Sequence, residues 1–134
     1  MAKMNGAALT TLNIDDSAGT IQDLRPDITN WDFQIATNLQ VVTGQDKSAE
    51  ERLALLADFS INLNGVVNTA ANMSHDVFKD IAGGVARTST IGFGGVSLAT
   101  EVLYSSYSIN RGTDASLVWS TSGSLADGTV PTYT

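Results

Sequence analysis

Acidic residues outnumber basic ones two to one in this chain, 14 Asp and Glu against 7 Lys and Arg, so any acid–base chemistry would have to start from carboxylates. The single histidine, His75, stands beside Asp76, a pair that could in principle move a proton. No cysteine exists to partner it, and no nucleophile pairs with a base, so His75 reads as an exposed residue in the first turn of a helix. Asp15, Asp16 and Ser17 lack the spacing of a calcium loop and read as a solvated turn. The Gly92, Phe93, Gly94, Gly95 cluster is not followed by a Lys and Ser/Thr pair, so it is no phosphate loop. Without Cys, neither a disulfide nor a thiolate metal site can form. The sequence therefore predicts no enzyme, no metal and no cofactor. What remains is a non-covalent surface, and one set of residues stands out: Asp32, Gln34, Asn38 and Gln40, then Asp58, Ser60, Asn62 and Asn64. These are amides, a hydroxyl and two carboxylates, with no Lys or Arg among them.

The elements that hold those residues are strands. From 31 to 43 the odd positions carry Trp31, Phe33, Ile35, Leu39 and Val41, while the even ones carry most of the polar set. Such alternation marks a half-buried strand. Phe59, Ile61 and Leu63 repeat the pattern against Asp58, Ser60, Asn62 and Asn64, until Gly65 breaks it. The two strands form an antiparallel hairpin whose connection, residues 44–57, is too long for a tight turn. Within it Ser48 to Glu51 match a capping box ahead of Arg52, Leu53, Ala54, Leu55 and Leu56, which predicts about two helical turns. Such a loop either touches another subunit or folds Leu53 and Leu56 back on the core.

The rest of the chain is also mainly β. Residues 1–7, with Asn5 and Gly6 as a turn signal, predict an arm. Residues 8–14 and 20–24 predict a hairpin, which Pro26 ends. Ser74 is expected to cap a helix with Val77, Phe78 and Ile81 as its apolar stripe, closed by Gly83 and Gly84. Strands follow at 85–93, at 96–111 with a bulge near Leu103, and at 115–122; Tyr133 is expected to pack down.

Composition sets limits. A chain of 134 residues predicts one domain with its own core. A net charge of -7 and a pI near 4.3 exclude a protein that grips nucleic acid through phosphate contacts. They do not exclude a surface past which DNA slides without sticking. No apolar h-region follows the first seven residues and no apolar run approaches a membrane span, which predicts folding in a cytoplasm and no membrane binding.

Two segments, KSAEERLALLADFSINLNG (47–65) and ATEVLYSSYSINRGTDASLVWSTSGSLADGTVPTY (99–133), resemble the major tail tube proteins of long-tailed, siphovirus-type bacteriophages, particularly those of actinobacterial hosts. Glu101, Leu103, Tyr107, Ile109 and Arg111 are similar to one strand motif of that family. Leu125, Ala126, Asp127, Gly128, Pro131 and Tyr133 resemble its closing run. The resemblance implies a tail-tube-type β-sandwich or half-barrel with a flanking helix, six copies closing into a ring, and rings stacking into a tube that conducts the genome. It also implies residence in the phage tail after assembly in the host cytoplasm, with tape measure, tail tip and terminator proteins as partners. In that picture the polar hairpin face lines the lumen and residues 44–57 reach the next ring, through Lys47, Glu50, Glu51, Arg52, Leu53 and Leu56. Glu101 and Arg111 would make contacts between subunits.

Three alternatives stay open at this level. The polar face could be an ordinary solvent-facing sheet, and the chain could be the inner tube of a contractile injection system. A carbohydrate-binding sandwich would instead use Trp31, Trp119 and Tyr104, although both tryptophans lie on the apolar side of their strands.

Overall fold

Alternation through most of the chain becomes one antiparallel sheet of seven strands in the computed structural model, which describes residues 3–5 and 8–134. The strands are β1 (Leu9–Asp15), β2 (Ile21–Asp23), β3 (Ile28–Val41), β4 (Arg52–Val66), β5 (Arg87–Phe93), β6 (Val96–Arg111) and β7 (Leu117–Leu125). One short helix, α1 (Ser74–Phe78), lies between β4 and β5. The order across the sheet is β2-β1-β5-β6-β7-β4-β3. The expected arm at 1–7 lies partly outside the described residues.

The sheet must curl. Its two edge strands, β2 and β3, are joined by Leu24 and a single 3-10 turn at Arg25–Asp27. That link can span at most about 17 Å, whereas seven strands laid flat would separate their edges by about 29 Å. Bending brings the edges together and makes a half-barrel: one sheet curled around its core, rather than two sheets stacked. Leu12, Ile14, Phe59, Ile61, Leu63, Ile91, Leu98, Val102 and Trp119 fill the inside, and Val77 and Phe78 of α1 close it. The Phe78 ring meets Tyr104 and Trp119, each with centroids 5.3 Å away. Gly65 belongs to β4 rather than ending it, and the position requires a glycine. A Cβ there would run into the Asp27 carbonyl and lie 3.0 Å from the Trp119 ring.

Four expectations change. The helix begun at Ser74 ends at Phe78, leaving Ile81 and Gly83 in a separate 3-10 turn closed by Gly84. The helix expected within 48–56 does not form: Arg52, Leu53 and Ala54 pair with Val41, Gln40 and Leu39 as the outer part of β4. Good helix formers were overridden by a ladder that satisfies their backbone groups across the hairpin. Ser74 does not cap α1 with its side chain; Asp27 accepts its amide instead. Tyr133 is about half exposed, and Pro131 packs down in its place. The bulge in β6 is present, one turn of the pattern later than Leu103, between Tyr104 and Ser106.

Candidate functional site

Pairing register decides which side chains share a face, because cross-strand partners point to the same side of a sheet. Trp31, Phe33 and Ile35 pair with Leu63, Ile61 and Phe59 on the inner side. The alternate residues fall outside: Asn30 with Asn64, Asp32 with Asn62, Gln34 with Ser60, and Ala36 with Asp58. The polar residues of the two strands are thus brought onto one face by the register itself.

That face continues past the hairpin. On β7, Ser124, Ser122 and Ser120 pair with Ser60, Asn62 and Asn64. On β6, Ser106 and Ser108 pair in turn with Ser122 and Ser120, and Asn110 with Val118. Rows four strands wide result, such as Asp32, Asn62, Ser122 and Ser106. Ser106 Oγ and Ser122 Oγ lie 3.1 Å apart and the Ser105 hydroxyl donates to the Ser122 carbonyl at 3.3 Å, so hydroxyls bond along the surface. Sequence reasoning missed these serines. The signal was present, since Leu117 and Trp119 point inward and residues 120, 122 and 124 must then point out.

The strands themselves put charge of one sign on this outer side, and Arg25, in the turn after β2, reaches it through its pair with Asp23 at 3.0 Å. Only three bases sit in strands: Arg52, Arg87 and Arg111. Arg52 pairs with Val41, Arg87 with Val102 and Arg111 with Leu117, all on the parity of the inner face. No strand among the described residues therefore puts a Lys or Arg on the outer side, which carries Asp32 and Asp58, and farther along it Asp15 and Glu101. Burial raises the Asp15 carboxyl above its ordinary value, and the negative charge of Glu101 adds to the effect. Thr88 donates its hydroxyl to Glu101, which is half-buried. Glu101 and Arg111 are not brought together: ten residues along β6, about 33 Å, separate them, and they lie on opposite sides of the sheet.

Beyond Ala36 the hairpin leaves the body. Every residue from Ala36 to Leu56 is exposed, including Asn38 and Gln40 of the polar set. Leu53 and Leu56 therefore do not fold back on the core; they are 53% and 86% exposed. Between Thr37 and Leu39 the ladder takes three steps on β4 for two on β3, a bulge that moves Leu53 onto the outer side opposite Gln40. At the tip Lys47 pairs with Glu51 at 3.4 Å and Arg52 with Glu50 at 2.6 Å. Exposed ion pairs such as these add little to stability.

The remaining candidates are structural. His75 is half-buried, not exposed, with Nδ1 3.1 Å from the Tyr107 hydroxyl. Trp119 and Tyr104 are buried, so they cannot form an exposed stacking platform for a sugar. Asp16 is a turn residue whose carboxylate accepts the amides of Ala18 and Thr20.

The fold of this chain is shared with chains from phage-like tail particles. A chain from the virion of a native gene transfer agent particle superposes with a TM-score of 0.77 at 12% identity, covering 98% of this chain and 99% of that one. A chain from the tail of an empty gene transfer agent particle, refined helically with C6 symmetry, gives 0.77 at 15% identity over the same shares. A chain from the six-fold symmetrised baseplate of the anti-feeding prophage gives 0.58 at 10% identity, covering 98% and 97%. No protein-family profile matches the chain, and no curated protein sequence matches it. At these identities the likeness is one of fold.

Proposed function

We propose that this chain is a structural, non-catalytic tail tube protein, one domain in size, whose copies close into hexameric rings that stack into a conduit for DNA in a virion tail. The observation that carries the reading is the outer face of β3, β4, β7 and β6: largely amides, hydroxyls and carboxylates, with no strand residue among the described ones putting a Lys or Arg on it. Each phosphate contact from a Lys or Arg would add affinity and slow the passage of DNA. Amides, hydroxyls and a few carboxylates keep such a wall wet and non-adhesive. A wall without bases suits DNA better than a protein cargo, and so favours a phage tube over the inner tube of an injection system.

The projecting hairpin supplies the contact along the axis. An isolated two-stranded ribbon is marginal in water, so an arm exposed on both faces fits an element that neighbours cover on assembly. The free edge of β3 is long and would invite aggregation unless a neighbouring strand pairs with it, which a closed ring provides. Motifs at 101–111 and 125–133 support a long-tailed phage parentage of the actinobacteriophage kind, with tape measure, tip and terminator proteins as partners and assembly in the host cytoplasm.

Negative-stain electron microscopy of the purified protein over a concentration and salt series tests the reading. Rings or hollow tubes are expected. A monodisperse monomer under every condition, with and without added tail-tip complexes as seeds, would overturn it.

A further inference from the structure

The half-barrel does not close along its seam. Leu9 and Phe93 on one wall face Trp31 and Phe33 on the other, with Met4 and Ala8 at the rim, and a groove of about 220 Å³ opens between them. Trp31 and Phe33 stack at 5.6 Å with their rings only 7° apart, which makes one wall a flat apolar surface. A water molecule takes up about 30 Å³ of liquid, so the groove has room for an aliphatic side chain.

The chain carries such side chains and gives them nothing to pack on. Leu39, Val41, Val42, Leu53, Leu55 and Leu56 are all about half exposed or more, and all belong to the arm. Their own groove is out of reach. Leu56 lies in the bulge beside Asn38, five residues beyond groove-lining Phe33, or about 17 Å along an extended strand that leads away from it. An apolar projection at one place and an apolar groove at another, on the same molecule, make a heterologous contact that repeats from copy to copy.

Charge points the same way. The tip holds Asp46, Glu50 and Glu51 against Lys47 and Arg52, a net charge of -1. Lys3, one residue before Met4 at the rim of the groove, has no ion pair among the described residues.

We infer that the arm of a second copy docks in this seam, with Leu56 entering the groove between Leu9, Phe93, Trp31 and Phe33. The inference rests on the reading that copies stack, and it specifies which surfaces meet. Leu56 is the anchor because, among the described residues, it is the most exposed large apolar one. Lys3 meets the acidic side of the incoming tip.

The absence of cysteine makes a direct test possible. Leu56→Cys and Ala8→Cys variants are mixed in equal amounts, assembled, and treated with a short bis-maleimide; digestion and mass spectrometry identify the joined peptides. The expected product joins position 56 of one chain to position 8 of another. Tubes that assemble but give only 56–56 or 8–8 products, or none, would overturn the docking while leaving the tube reading intact. If the unmodified chain forms no tubes, the tube reading fails and the docking with it. As a second measurement, Leu56→Asp should raise the concentration needed for assembly by about tenfold or more, and Leu56→Met should leave it nearly unchanged. Assembly of Leu56→Asp at the unmodified threshold would also overturn the docking.

Discussion

Asp27 Oδ2 accepts the backbone amide of Ser74 at 2.9 Å across 47 residues of chain, and Asp27 Oδ1 accepts the side-chain amide of Asn68 at 3.0 Å. One nearly buried carboxylate thus holds the start of α1 and the loop before it against the turn that links the two edges of the sheet. Helix starts leave amides without intrahelical partners, and here the acceptor comes from a distant segment.

Removing that carboxylate strands two donors in the interior. Asp27→Ala should lower stability by about 2–4 kcal/mol, read as a lower urea midpoint at an unchanged slope. A loss under about 0.5 kcal/mol would mean that water replaces the acceptor at no cost.

Arg87 makes a second long tie. Its guanidinium is 1% exposed, donates to the Val77 carbonyl at the end of α1, and pairs with Asp80 at 3.0 Å. Asp80→Ala leaves that buried charge with the Val77 carbonyl and the more distant Asp16 carboxylate to meet it, and, because Asp80 is itself 44% exposed, should cost about 1–2 kcal/mol. Arg87→Met removes the charge with the partner and should cost less than Asp80→Ala, because an unpaired buried ion is worse than none. Thermal melts of the two variants decide the order; the reverse order would show that the Arg87 stem and its bond to Val77 matter more than the pair.

Asp15 gives a pH dependence of opposite sign to that of Asp16, Asp23, Asp76, Asp80 and Asp114. Its carboxyl is raised, chiefly by burial and then by Glu101, so the folded state holds its proton more tightly than the unfolded one. Asp15 therefore subtracts stability above its folded pKa, and the deficit is relieved as the pH falls through that value. Asp15→Asn should raise the melting temperature at about pH 7 and have little effect near pH 3. Asp16, Asp23, Asp76, Asp80 and Asp114 are held below the usual range, each chiefly by a hydrogen bond: from the Thr20 amide, the Arg25 side chain, the Asn72 amide, and the Ser17 and Ser116 side chains respectively. Their contributions are present above the unfolded carboxylate pKa and are lost as the pH falls through the folded values, so the protein as a whole should weaken in acid. Equal stabilisation by Asp15→Asn at both pH values would refute the assignment.

Reversing charge on the outer face probes the conduit. Asp32 and Asp58 are exposed, so Asp32→Lys with Asp58→Lys should leave the monomer and its assembly intact. Assembled tubes should then retain DNA, with the logarithm of the binding constant falling by about 0.9 per logarithmic unit of salt for each phosphate contacted. DNA ejection at the normal rate from tails built of this variant would remove these residues from the lumen.

Much of this was legible in the sequence because a strand has a period of two and each residue declares its face. Trp31, Phe33 and Ile35 against Asp32 and Gln34 fixed both the strand and its polar side before any partner was known. The same alternation defined the face of 58–64 and, read through Leu117 and Trp119, would have assigned Ser120, Ser122 and Ser124 as well.

What the tertiary structure alone decided are matters that depend on segments distant in the chain. Residues 52–56 are good helix formers beside a capping box, and only the ladder offered by Leu39, Gln40 and Val41 made them a strand. The cap on α1 is supplied from Asp27, which no window around Ser74 contains. The curl of the sheet follows from the short link between its edges, yet which strands are edges is a property of the pairing order and not of any one strand. Local pattern sets what each segment can be, because side-chain direction is a short-range matter. Which segments meet is set by burial and backbone pairing summed over the whole fold, and no stretch of sequence carries that sum.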